Sequence, residues 1–116
     1  MSMIARIFRV QALPGKQRAW QEKVEAISLP WPRRQPGLIA FYPGRSLEPE
    51  SRWFSMTSIW RDLEAIQTAF GVDWQPPLLL GDEPELVEAM EVQHYAVVGR
   101  EEWRAGALFE PRRRRC

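Results

Sequence analysis

Side chains that bind metals or carry redox chemistry are scarce in this 116-residue chain: it has one histidine, His94, and one cysteine, Cys116, at the last position. A zinc or iron centre needs several His, Cys or carboxylate ligands converging on one point, so a metal site is not expected. A lone cysteine excludes an internal disulfide, in keeping with a reducing compartment. No apolar run approaches the roughly 18 residues of a membrane-spanning helix. The opening stretch MSMIARIFRV also lacks the layout of a secretion signal. A soluble, cytoplasmic protein without membrane contact is the expectation. The stretches GVDW, GDEP and PGR have neither the glycine spacing nor the strand-to-helix setting of a phosphate-binding loop, so no nucleotide is expected, nor any other cofactor. Ser55, Ser58 and His94 supply the residue types of a hydrolytic triad, but nucleophile-elbow spacing is missing.

What is present describes one ordinary domain. Hydrophobic residues make up 45% of the chain and charged residues 27%, close to globular averages. The length suffices for one core and not for two. The net charge of +1 conceals an asymmetry: RRRR at 112–115 leaves the rest of the chain at about −3. Four arginines without interleaved aromatics read as a solvated terminus, and no specific nucleic-acid partner is expected. The domain is placed at residues 1–101, with a tail, basic at its end, over 102–116.

Along the chain, residues 3–12 (MIARIFRVQA) read as a first strand, ended by the turn signal of LPG. Trp20, Val24 and Ile27 then fall at i, i+4 and i+7, which predicts a helix from Lys16 to about Ile27. Three prolines in LPWPRRQPG (29–37) block both helix and central strand, leaving a loop. Residues 38–44 and 52–60 read as strands two and three. A second helix is predicted from Asp62, a good N-cap, through Leu63, Ile66 and Phe70 to a stop at Gly71. Pro84 suits the first turn of a short helix over PELVEAM, and VQHYAVVG (92–99) reads as strand four.

The order β-α-β-β-α-β is the split βαβ pattern of an α+β, ferredoxin-like fold, a sheet covered on one face by two helices. The other face is not polar either. Ala5 and Ile7 oppose Ile4, Phe8 and Val10 on strand one, and Trp53 and Ile59 oppose Phe54, Met56 and Trp60 on strand three. At about 25 cal/mol per Å², leaving such a surface wet forfeits several kcal/mol. A second copy of the sheet is the simplest cover, so a homodimer is expected.

The segments MIARIFRVQALPGKQRAW, QPGLIAFYPGR, SIWRDLEAIQTAFG and VQHYAVVG together resemble the antibiotic biosynthesis monooxygenase-like family over roughly residues 3–99. That resemblance implies a dimeric α+β barrel built from two ferredoxin-like sheets. The family includes cofactor-free oxidases of aromatic polyketides, haem degraders and members of unknown activity. Trp60 stands where the polyketide oxidases have an active-site tryptophan. Their asparagine four residues earlier corresponds to Met56, and their tyrosine six residues later to Ile66. The haem degraders' asparagine, tryptophan and histidine fall at Arg6 or Phe8, at Ala69 and at no histidine, which disfavours haem degradation.

The chemistry that remains is cofactor-independent oxygenation of a small aromatic substrate of phenol or quinol type, which itself supplies the electrons. His94 is the one side chain whose ordinary pKa suits a base near neutral pH. Arg6, Arg9 and Tyr42 are candidate donors to an oxyanion, and Phe8, Trp53, Trp60, Phe70 and Trp74 candidate walls. His94, Trp60 and Arg6 are thus the catalytic candidates, with Phe8, Tyr42, Trp53, Phe70 and Trp74 the substrate-binding ones. Each also has a structural reading: Trp60 as a packed corner, His94 as a hydrogen-bonded strand residue, Trp74 as a seal beneath a loop. Arg6 breaks the apolar alternation of Ile4 and Phe8, so it either pairs with a carboxylate or faces a cavity. The alternative function is a non-catalytic dimeric module that binds a small apolar or aromatic ligand or serves a stress-related role; a haem-binding variant ranks below both.

Overall fold

The computed structural model describes residues 2–28, 30–79 and 83–99. The tail assigned to 102–116 lies outside the described residues. Four strands, β1 (Ile4–Ala12), β2 (Leu38–Arg45), β3 (Trp53–Trp60) and β4 (Val87–Ala96), form one sheet in the order β2-β3-β1-β4. Every neighbouring pair is antiparallel. Helix α1 (Gln17–Lys23) follows β1, and α2 (Leu63–Phe70) follows β3. This is the ferredoxin-like α+β arrangement read from the element order.

Alternation on the central strands decides which side chains face the helices. Arg6, Phe8, Val10 and Ala12 of β1 are buried, as are Phe54, Met56, Ser58 and Trp60 of β3. The register sets Arg6 beside Ser58 on one side and beside His94 of β4 on the other. Two hydrophobic clusters form under the helices. One joins Phe8, Val10, Phe54 and Met56 to Trp20 and Val24. The other packs Trp60 against Ala65, Ile66, Trp31, Phe70 and Trp74. Trp20, Trp60 and Ile66 are fully buried. At about 1.5–3 kcal/mol for burial of a large apolar side chain, these are the strongest local determinants of the helix positions.

Helix α2 begins and ends as its sequence directs. The Asp62 carboxylate accepts a hydrogen bond from the Ala65 amide (2.9 Å), and Gly71 ends the helix at φ +90°. Gly37 has a steric role, because a β-carbon there would lie 2.1 Å from that of Ala65. Only a bare backbone lets the entry to β2 pass under α2.

Three boundaries differ from the sequence reading. The first helix runs only to Lys23 as an α-helix and continues as a π-helical turn over Val24–Ser28. The proline-rich loop contains a 3₁₀ turn at Trp31–Arg34, with Pro32 in its first turn. The short helix expected over PELVEAM is a 3₁₀ turn at Glu83–Leu86, after which β4 starts at Val87, five residues before the expected 92. Pairing of Val87–Glu91 with the second half of β1 overrides the helical propensity of Glu, Ala and Met there.

The face without helices is less apolar than the strand pattern implies. Ile7, Trp53 and Ile59 are half-buried on it, while Tyr42 and Tyr95 are exposed. Across the same face Arg9 pairs with Glu91 and lies over the Trp53 ring at 4.5 Å. Strand β4 supplies this polarity, because Glu91 and Gln93 alternate onto the open side.

Candidate active site

Arg6 is the centre of the site. Its place in mid-β1 carries a guanidinium under the helices with only 3% of the residue exposed. Nη1 donates to the Trp74 carbonyl (2.8 Å) and to His94 Nε2 (2.9 Å), and Nη2 donates to the Pro76 carbonyl (3.2 Å). The Phe70 ring covers one face, its centroid 4.0 Å from Cζ. Among the described residues no carboxylate touches Arg6. Desolvation lowers its pKa to about 10, which leaves it a cation at neutral pH.

This arrangement settles the state of His94. Arginine offers only N–H groups, so Nε2 must accept, and the imidazole is neutral with its proton on Nδ1. Burial, and then the Arg6 charge, holds the His94 pKa below its ordinary value. The Trp74 ring meets the imidazole edge-on at 4.8 Å.

Beside Arg6 lies a cavity of about 50 Å³ in the gap between the two hydrophobic clusters. Its walls are Phe8, Trp31, Phe41, Phe70, Met56 and Leu78, with Arg6 and Ser58 as the polar members. The space is several times the roughly 10–15 Å³ that one water requires. A larger cleft of about 210 Å³ lies between α1 and strands β2 and β3, lined in part by Trp20, Val24, Pro43, Phe54 and Met56. Met56 is the one residue common to both linings.

The candidates named from sequence separate into three groups. Arg6, Phe8 and Phe70 meet at the cavity, and His94 and Trp74 stand behind Arg6, outside the lining. Trp60 is fully buried beneath it. Its indole N–H donates to Ser58 Oγ (2.9 Å), and its ring meets Phe70 edge-on at 5.5 Å. Tyr42 and Trp53 are not brought to Arg6. Tyr42 pairs with Thr57 and Trp53 with Gln11, positions that alternate onto the opposite face. Sequence reasoning missed Trp31, Phe41, Ser58 and Leu78, together with the two carbonyls that hold Arg6. For Trp31 a signal existed, since a tryptophan in a proline-rich loop is rarely left in water. Among the described residues no group of His, Cys, Asp or Glu is placed to hold a metal ion, and no helix is long and apolar enough to cross a membrane.

The sequence profile of the family described as antibiotic biosynthesis monooxygenase matches residues 3–71, more than half of the chain. The chain belongs to that family. No curated protein matches it. Among solved structures, PA3566 from Pseudomonas aeruginosa is similar with a TM-score of 0.66 at 15% identity, covering 85% of this chain and 97% of that one. SO0527 from Shewanella oneidensis is similar with a TM-score of 0.64 at 23% identity, covering 81% and 89%. A mutant of SnoaB, a cofactor-independent oxygenase from Streptomyces nogalater, is similar with a TM-score of 0.65 at 15% identity, covering 86% and 97%. At these identities the likeness is one of fold. For the antibiotic biosynthesis monooxygenase family member described here, the profile ends at Gly71 with α2, so Trp74, Pro76 and His94 lie beyond the matched region.

Proposed function

We propose that the protein is a cofactor-independent monooxygenase that oxidises a small aromatic phenol or quinol with molecular oxygen in the cavity beside Arg6. The observation that carries this reading is a buried, carboxylate-free guanidinium facing an aromatic-walled cavity. Family membership supports it. Such a site favours a substrate as its oxyanion, since the cation is already in place and the walls exclude water.

The substrate ring sits among Phe8, Trp31 and Phe70. Arg6 stands between the cavity and His94, so its guanidinium must first swing aside, turning an N–H from the imidazole to the substrate oxygen; the hydroxyl proton then passes to the Nε2 lone pair that this frees. The anion passes one electron to oxygen, and the resulting pair joins in a new carbon–oxygen bond. The peroxide takes the proton back from His94 and loses water to leave a quinone. One oxygen atom ends in product and the other in water, and all the electrons come from the substrate. Trp60 serves as a positioning residue, holding Phe70 and Ser58 in the wall.

Oxygen uptake with quinol and anthrone-type compounds tests the reading. Turnover is expected in the wild type and a loss of at least about 100-fold in His94→Ala, the usual effect of removing a general base. Uptake unchanged by that substitution ends the reading.

A second reading, a non-catalytic ligand-binding module, is favoured by one feature: among the described residues the lining holds no titratable base of its own. It predicts saturable binding of such compounds with no oxygen uptake. On either reading we propose a homodimer through the open sheet face, with Ile7, Trp53 and Ile59 at its centre. Light scattering behind size-exclusion chromatography is expected to give twice the chain mass, and a monomer at micromolar concentration removes this part.

A further inference from the structure

The arginines of this chain are not treated alike. Arg9 pairs with Glu91, Arg52 with Glu88 and Arg61 with Asp62, all at least partly in solvent. Arg6, the most buried of the four, has only neutral acceptors: two backbone carbonyls and an imidazole nitrogen. His94 cannot act as its counter-charge, because it is neutral or positive but never negative. A desolvated cation without an anion is costly, and the usual remedy is a partner charge close by.

The donor count points the same way. A guanidinium has five N–H groups, and three are used by Trp74, His94 and Pro76. Nε and one proton on Nη2 remain unpartnered among the described residues. Nε and Nη2 are neighbouring nitrogens, and with Pro76 on the Nη2 proton turned away from Nε they offer one edge of the planar fork, the spacing that takes both oxygens of a carboxylate. Among the described residues Arg6 is also the sole cation on the cavity lining, which suits a single negative charge better than a phosphate dianion. The remaining walls are aromatic or aliphatic, and at about 50 Å³ the space is roughly a third of the ~150 Å³ cavity that holds benzene, so a single ring enters only as the side chains of the wall move apart.

We infer that the occupant of this cavity carries a permanent carboxylate, an arenecarboxylate such as a hydroxybenzoate, whose two oxygens take the free edge of Arg6 while its ring lies among Phe8, Trp31 and Phe70. The inference rests on the proposed use of the same cavity and narrows its substrate to aromatic acids. Arg6 is then the anchor that selects an acid over the isosteric amide or alcohol. Selection of this kind is strong because a ligand without the charge leaves the guanidinium edge desolvated and unpaired.

Isothermal titration of the purified full chain at low ionic strength with benzoate, 2-hydroxybenzoate and benzamide tests it. Benzoate is expected to bind at least about tenfold more tightly than benzamide. In Arg6→Gln, which keeps a donor but loses the charge, that ratio is expected to fall to near one. In Arg6→Lys, which keeps the charge but loses the fork, it is expected to shrink without vanishing. Should Arg6→Gln fail to fold, as read by its melting curve, the wild-type ratio and the Arg6→Lys ratio still decide. Equal binding of benzoate and benzamide by the wild type, or a preference that survives in Arg6→Gln, overturns the inference. The oxygenation reading fails separately: an Arg6-dependent preference for benzoate without oxygen uptake from any aromatic acid removes the enzyme and keeps the anchor. Uptake with neutral quinols and no preference for acids does the reverse.

Discussion

Replacing Gly37 by alanine puts the packing of α2 on β2 to a quantitative test. The added β-carbon would lie 2.1 Å from the Ala65 β-carbon and 3.2 Å from its α-carbon. Carbon atoms in contact sit about 3.5–4.0 Å apart, so the two elements must separate by more than an ångström. Neither neighbour is the tip of a flexible side chain, and Ala65 is fixed by its bond to Asp62. The cost therefore falls at the top of the roughly 1–3 kcal/mol range for overpacked cores. At ~4–8 °C per kcal/mol for a domain of this size, a loss of about 3 kcal/mol lowers Tm by roughly 12–24 °C. Thermal melts followed by circular dichroism read the change directly. A second substitution, Ala65→Gly, removes the colliding methyl at a helix-propensity cost of ~1 kcal/mol. The double variant is therefore expected to be more stable than the sum of the single effects requires. Because α2 carries Phe70, any displacement also lifts the ring from Arg6, and ligand affinity is expected to fall with Tm. A Gly37→Ala protein that melts within about 2 °C of wild type would refute the close approach and with it the placement of α2.

Two further outcomes follow from the site. Trp60→Phe removes the hydrogen bond to Ser58 and part of a buried ring, so a destabilisation of about 1–3 kcal/mol is expected in urea. Affinity for a cavity ligand, at temperatures where the variant stays folded, is expected to change less than about threefold; a larger change would return Trp60 to the pocket wall. His94 supplies a pH signature: its folded-state pKa is depressed, so the unfolded chain binds the extra proton first and stability drops as pH falls below the ordinary imidazole value of about 6.5. Above that value the contribution is fully present. Urea midpoints between pH 8 and 5 are expected to decline more steeply for the wild type than for His94→Gln, which accepts the Arg6 hydrogen bond through its amide oxygen and does not titrate. Parallel curves would mean that protonating His94 does not disturb Arg6.

Much of the fold was legible because its signals are local. Asp62 and Gly71 bracket α2, β-branched and aromatic residues mark β1 and β3, and the element order alone implies the sheet topology. Strand β4 was read short because Glu88, Ala89, Met90 and Glu91 have helical leanings that only the strand's pairing with β1 overrides. The site divides on the same principle. Arg6 stood out as a charge in an apolar alternation, a contradiction visible without a structure. The other walls were not visible, since Trp31, Phe41 and Leu78 come from three separate segments and nothing in their local sequence links them. Tyr42 and Trp53 were grouped with them by residue type, and strand alternation sends both to the far side of the sheet.

The shared lining at Met56 has a consequence for how readily this scaffold changes its diet. The small chamber beside Arg6 and the larger cleft beneath α1 both touch one flexible thioether on β3. Shortening that side chain would enlarge both rooms at once without touching the backbone or the charged anchor. A fold so arranged can change the room offered at two places by a single substitution.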